Sequence, residues 1–222
     1  MPSSKEWSAC FSRLETIIKR PLITAEKANL QGYIELLLKW NRSYNLIGPS
    51  TVATVLERHV IDSAPLLPLI SSGKKVADIG SGAGFPGLIL AILSQPHTQI
   101  NLVESSGKKV RFLQHAINHL DLQDRCRVFQ ERAEQHVLQF SGNYSYVVSR
   151  AVGTLSLLAK LSHGMLQPGG CCLALKGERS DAEVAEFLSG SFRSFFENPE
   201  IIDIELITGA TVISLKKVSR ET

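Results

Sequence analysis

The sequence predicts an α/β protein: a mostly parallel seven-stranded sheet, closed by a C-terminal antiparallel hairpin and preceded by a helical extension. Three observations predict it. From residue 75 onward, short apolar runs alternate with stretches of helix length, as in parallel strands joined by crossover helices. The last two runs are separated only by Thr208, Gly209 and Ala210, too few residues for a crossover, so they pair antiparallel. Before residue 72 the apolar spacing is helical.

Residues 7–19 fit a short helix, and LQGYIELLLKWN at 30–41 places Leu30, Ile34, Leu37 and Leu38 on one helical face. VATVLERHVIDSAPLLPLI reads as a further helix bent near Pro65. SSGK at 71–74 is the turn that divides the chain into an extension, 1–72, and a second domain, 73–222. KVADI, QINLVE, RCRVFQE, YSYVVSR and GCCLALKG follow as five parallel strands, then IIDIELI and TVISLKK as the hairpin. A dinucleotide-binding fold would instead end on another parallel strand.

Composition narrows the class. The chain has 222 residues, 44% hydrophobic and 20% charged, so it can bury a core without disulfide or metal staples. No apolar run approaches the roughly 18 residues of a membrane span. The opening MPSSKEWSAC lacks an apolar leader, so a cytoplasmic protein is expected. No large apolar surface is evident, and a monomer is expected. Twenty-four basic against 21 acidic residues give +3, which permits a local nucleic-acid patch without announcing one. Cys10, Cys126, Cys171 and Cys172 read as reduced, mostly buried thiols. His115 and His119 stand four apart but lack the glutamate of a zinc motif, and no metal is expected.

The chemistry concentrates at VADIGSGAGFPG, residues 76–87. A strand ends at Ile79, and Gly80, Gly82, Gly84 and Gly87 form a loop before a helix starting near Pro86. Asp78, just before the loop, can orient it or face the amino group of a cationic ligand. Glu104 ends the next strand, where two carboxylate oxygens match the two neighbouring hydroxyls of a ribose. That pairing serves NAD and S-adenosylmethionine equally. Gly82, Gly84 and Gly87 match G-x-G-x-x-G literally, with Glu104 22 residues on, so an NAD-dependent oxidoreductase is an alternative reading. Pro86 counts against it, because it removes an N–H where a pyrophosphate wants donors.

VADIGSGAGFPG, then LVESSGKKVRFL, VVSRAVGTLSLL and LALKG, resembles the ribosomal RNA small-subunit methyltransferase G family, also called glucose-inhibited division protein B. KWNRSYNL at 39–46 and ERHVIDS at 57–63 are similar to that family's signatures in the extension, and the resemblance runs from about residue 30 to 180. It implies a class I S-adenosylmethionine-dependent methyltransferase fold, Rossmann-like, and methyl transfer to N7 of a guanine in 16S rRNA of the small ribosomal subunit. Matched residue by residue, it implies cofactor contacts at Gly80, Phe85, Glu104, Ala133, Glu134 and Arg150. A non-catalytic RNA-binding assembly factor is the third reading, and the intact loop and acid argue against it. The chain has NLI where the family usually has NLT, a departure expected to touch the extension and not the cofactor. Glu104 stands where some members have Asp.

N7 of guanine has a lone pair and no proton, so no general base is expected. Arg150, at the carboxyl end of the fourth strand, is the expected positioning residue, able to hold the cofactor carboxylate, the guanine O6 or an RNA phosphate. A cation beside a cationic cofactor is unfavourable without an anion between them. Phe85 is a candidate plane for stacking a base. Lys108, Lys109, Arg111, Arg42, Arg58, His59 and Lys176 are candidate phosphate contacts. Trp40, Asn41, Asn45, Arg58, His59 and Asp62 either pack the extension onto the core or face the substrate.

Overall fold

A computed structural model describes residues 1–150, 153–177, 180–203 and 210–219. The first helix, α1 (Ser4–Ile18), begins earlier than its apolar spacing suggests, because Ser3 and Glu6 form a reciprocal capping box. The second, α2 (Thr24–Tyr44), buries Leu30, Tyr33, Ile34 and Leu37 at three- and four-residue spacing. A short helix, α3 (Pro49–Val52), follows.

The expected bent helix after it is not an α-helix. Leu56–Ile61 is a π-helical turn, with the Asp62 N–H donating to the Glu57 carbonyl five residues back. Ala64–Leu69 is 3₁₀. Pro65 and Pro68 remove two amide donors there, so an α-helical ladder cannot continue.

Beyond the turn at 71–74 the sheet begins. Its strands are β1 (Lys75–Ile79), β2 (Gln99–Val103), β3 (Cys126–Phe129), β4 (Tyr144–Arg150), β5 (Leu166–Gly177), β6 (Glu200–Asp203) and β7 (Ala210–Lys216), in the order β3-β2-β1-β4-β5-β7-β6. The first five run parallel, and β7 lies antiparallel between β5 and β6. The sheet expected from the sequence is therefore present, with β5 starting four residues earlier, at Leu166. Thr208 and Gly209 of the expected hairpin loop, and residues 204–207 of its first strand, lie outside the described residues. The crossovers are α4 (Gly87–Leu93), α5 (Gly107–His119), α6 (Ala133–Gln139) and α7 (Leu155–Met165); α8 (Ser180–Leu188) follows β5.

Each strand splits its neighbours between two cores, as the two-residue period of a pleated strand requires. Val76, Val148, Leu173 and Val212 join one apolar cluster; Ala77, Val147, Cys172 and Ile213 join the other. The first cluster is continuous with α1, α2, α4 and α5, so the extension and one sheet face share a single core. The second lies under α7 and α8. Cys10, Cys126 and Cys172 are buried and Cys171 is half-buried, all as free thiols. Among the described residues, no helix is long and apolar enough to cross a membrane.

Candidate functional site

The glycine loop leaves the carboxyl end of β1. Gly80, Gly82 and Gly84 all have positive φ (68°, 60° and 101°), conformations that side-chain-bearing residues rarely adopt. Gly87 is needed for another reason: a Cβ there would sit 2.5 Å from Asp78 Oδ2 and closer still to Leu102. The loop is strapped to β2, since the Gly80 and Ser81 N–H groups donate to the Val103 carbonyl at 2.9 and 3.2 Å. From the extension, the buried Tyr33 hydroxyl donates to the Ala83 carbonyl at 2.6 Å.

Asp78 takes the first of its two expected roles. It is fully buried, its Oδ2 accepts from the Gly87 N–H at 3.0 Å, and Oδ1 has no partner among the described residues. It thereby fixes the start of α4. Burial pushes its carboxyl up to about 7, against the pull of the Gly87 N–H. A carboxyl raised in this way stabilises the fold most when protonated. Its contribution is full below pH 3.8, its ordinary value, and is lost as pH rises toward about 7. The parent is therefore expected to gain stability relative to Asp78→Asn as pH falls from 7.5 to 5. Urea denaturation midpoints across that range measure it; parallel curves for the two proteins would refute it.

Glu104, just past β2, is 7% exposed and faces the loop. Its Oε2 accepts from the Gly82 N–H at 2.9 Å and its Oε1 from the Ser106 N–H at 2.8 Å. Each oxygen keeps a further lone pair for a ligand. Together these groups bound a cleft of about 440 Å³, whose wall includes Gly80, Gly82, Phe85, Glu104, His59 and Arg150. Lys109, one of the candidate phosphate contacts, also lines it.

Arg150 ends β4 and forms part of the cleft wall. Its Nη1 donates to the Arg58 carbonyl at 2.7 Å, its Nη2 lies 2.6 Å from His59 Nδ1, and its guanidinium stands 5.3 Å from the Phe85 ring centre. Burial pulls its pKa down, opposed by Asp62. Phe85 is 4% exposed and stacks on His59 with ring centres 4.7 Å apart, so little of its face is free for a base.

Ala133 and Glu134 do not line this cleft. They open α6, after the third strand, where Ala133 packs partly against the second core and Glu134 is exposed. Their turn is braced by a buried polar chain: His136 lies 2.6 Å from both Glu131 Oε1 and the Tyr144 hydroxyl, to which Asn101 donates at 2.8 Å. Lys176 is engaged elsewhere, paired with Glu183 at 2.6 Å. The undecided residues of the extension separate. Trp40 packs edge-on against Phe112, and Asn41 Oδ1 accepts from the Ile47 N–H at 2.9 Å, whereas His59 belongs to the cleft. The NLI departure is closer to the site than expected, because Leu46 and Ile47 form part of the cleft wall. Sequence reasoning left that contact out, since it depends on how the loop after α2 folds back over the sheet edge.

Residues 26–197 match the model of the GidB family, rRNA small subunit methyltransferase G. The chain is 43% identical over 157 residues to a ribosomal RNA small subunit methyltransferase G of Halorhodospira halophila, covering 71% of this chain and 72% of that protein. It is 40% identical over 169 residues to one from Xanthomonas oryzae pv. oryzae, covering 76% and 77%. Among solved structures, a SAM-dependent methyltransferase from Aquifex aeolicus has the same fold, with TM-score 0.59, 12% identity, 78% of this chain and all (100%) of that one. Fibrillarin from Aeropyrum pernix, solved with natively bound S-adenosyl-L-methionine, matches with TM-score 0.53 and 16% identity over 72% of this chain and 75% of its own.

Proposed function

The chain belongs to the rRNA small subunit methyltransferase G family, and from that premise we propose that it transfers a methyl group from S-adenosylmethionine to N7 of a guanine in 16S rRNA. The observation that carries the reading is the cleft at the carboxyl edge of β1 and β2, where a loop free of side chains is faced by the Glu104 carboxylate. This suits an adenosyl sulfonium: the glycines give a backbone wall, and Glu104 offers lone pairs to two ribose hydroxyls. S-adenosylmethionine, when bound, supplies a methyl group already activated by its sulfonium charge. We assign the cofactor contacts to Gly80, Phe85, Glu104, Ala133, Glu134 and Arg150, with Arg150 also positioning the reactants. Ala133 and Glu134 follow the third strand, on the adenine side in this fold. The dinucleotide alternative is disfavoured by an antiparallel β7 set between β5 and β6.

The chain's own work is placement. N7 presents a lone pair, so no residue needs to remove a proton. Collinear approach is what the cleft must enforce. Positive charge then develops on the base, and the Glu104 carboxylate lies within the same cleft to offset it. We take residues 1–72 as a helical extension and 73–222 as the methyltransferase domain, acting as a cytoplasmic monomer on the small ribosomal subunit. The test is a nucleotide-resolution map of N7-methylguanine in 16S rRNA from cells with and without the protein. One site is expected to lose its methyl group and to regain it when the parent protein is restored; identical maps would overturn the reading.

A further inference from the structure

His59 has a chemistry that the cofactor contacts leave unused. It sits on the π-helical turn of the extension, belongs to the cleft wall, and is 7% exposed. Arg150 Nη2 lies 2.6 Å from its Nδ1. A guanidinium has donors only, so Nδ1 must accept, and a neutral imidazole then carries its proton on Nε2. Burial, with Arg150 and Arg58 adding to it, pushes the ring's pKa down to about 4, so the ring is neutral near pH 7. The Nε2–H group is buried and has no partner among the described residues. The ring is also held by its stack on Phe85 at 18° between planes, and the turn that carries it by the Ser63 hydroxyl, which donates to the His59 backbone carbonyl at 2.6 Å. An immobile donor left without an acceptor is unfavourable, and a ligand that brings one recovers the loss.

The chemistry of purines says which ligand. Both guanine and adenine carry N7, so attack by N7 cannot tell them apart. They differ at the adjacent position: guanine presents the O6 acceptor, adenine an amino donor. A fixed N–H facing that edge attracts the first and opposes the second. We propose that His59 is a specificity-determining residue whose Nε2–H donates to O6 of the target guanine, with Arg150 setting the tautomer that makes this possible. The inference rests on the rRNA-methylating reading and extends it to a residue outside the assigned cofactor contacts.

The test uses the full chain and small ribosomal subunits from cells lacking it, reconstituted with either guanine or adenine at the target position. Two substitutions divide the imidazole. His59→Asn keeps an oxygen near the Nδ1 position for Arg150 but has nothing at the Nε2 position. His59→Gln reaches the Nε2 position with an amide donor. His59→Asn is expected to lose about 10–100-fold in kcat/KM on guanine particles and to narrow the guanine-to-adenine ratio. His59→Gln is expected to stay closer to the parent on both counts. S-adenosylhomocysteine affinity, read by calorimetry, should be the same in all three proteins, which also shows that the cleft is folded. An Asn variant that keeps the parent's rate and ratio would overturn the inference. So would a collapse of S-adenosylhomocysteine affinity in the Asn variant, because the acceptor would then belong to the cofactor. A parent protein that methylates neither particle would instead overturn the rRNA reading itself.

Discussion

Glu104→Ala is expected to weaken S-adenosylhomocysteine binding on the order of 100-fold or more, and methyl transfer at subsaturating cofactor by a similar factor. Hydrogen bonds to a charged group contribute about 1.5–3 kcal/mol each, and two ribose hydroxyls would share this one carboxylate. The substitution also frees the Gly82 and Ser106 N–H groups that Glu104 now holds, so the loop loses its brace along with its ligand. Glu104→Gln separates the two effects. It keeps an oxygen for one of those amides but gives up the charge, and a loss nearer 10-fold is expected, in line with the weaker neutral bond. Calorimetric titration measures both, with thermal melting of the apo proteins as the check on folding. Affinity within threefold of the parent in the Ala variant would remove Glu104 from the site.

The second large effect is at Arg150. Arg150→Ala removes the donor to the Arg58 carbonyl, the donor to His59 Nδ1 and the cation beside Phe85 in one step. A fall in kcat/KM of about 10²–10³ is expected, since charge-assisted bonds and the geometry they impose are lost together. Arg150→Lys keeps a charge, but a compact ammonium does not reproduce the planar fork of donors that a guanidinium holds in fixed directions, so it should recover only a small part of the loss. Reading S-adenosylhomocysteine affinity alongside kcat/KM tells which anion Arg150 serves. A parallel loss places the cofactor carboxylate at Arg150; a loss in kcat/KM alone places an RNA group there. Wild-type kinetics in both variants would contradict any role in the cleft.

The sheet was legible because its signals are local and redundant. Five apolar runs spaced by helix-length stretches admit few arrangements, and a three-residue gap forces the final pair to run antiparallel. Glu104 and the glycines were legible for the same reason, since a strand end fixes where its last residues sit. The region 52–70 was not. Its apolar spacing resembles a helix, but two prolines three residues apart and a π turn break the ladder, and neither feature alters the pattern of apolar positions. The fate of ERHVIDS was equally hidden. Whether His59 meets Arg150, 91 positions later, depends on how the extension closes over the sheet edge, and that is settled by packing between distant segments. Phe85 was expected to offer a face to a base; that face is taken by His59, a partner no local pattern reveals.

The bond from Tyr33 to the Ala83 carbonyl, across 50 positions of sequence, has an evolutionary consequence. A side chain from the first third of the chain braces a loop that the strand before it and the helix after it do not hold alone. The two regions are thus expected to vary as a matched set: a change at one alters the support of the other, and a loop grafted in without Tyr33 would lose this bond.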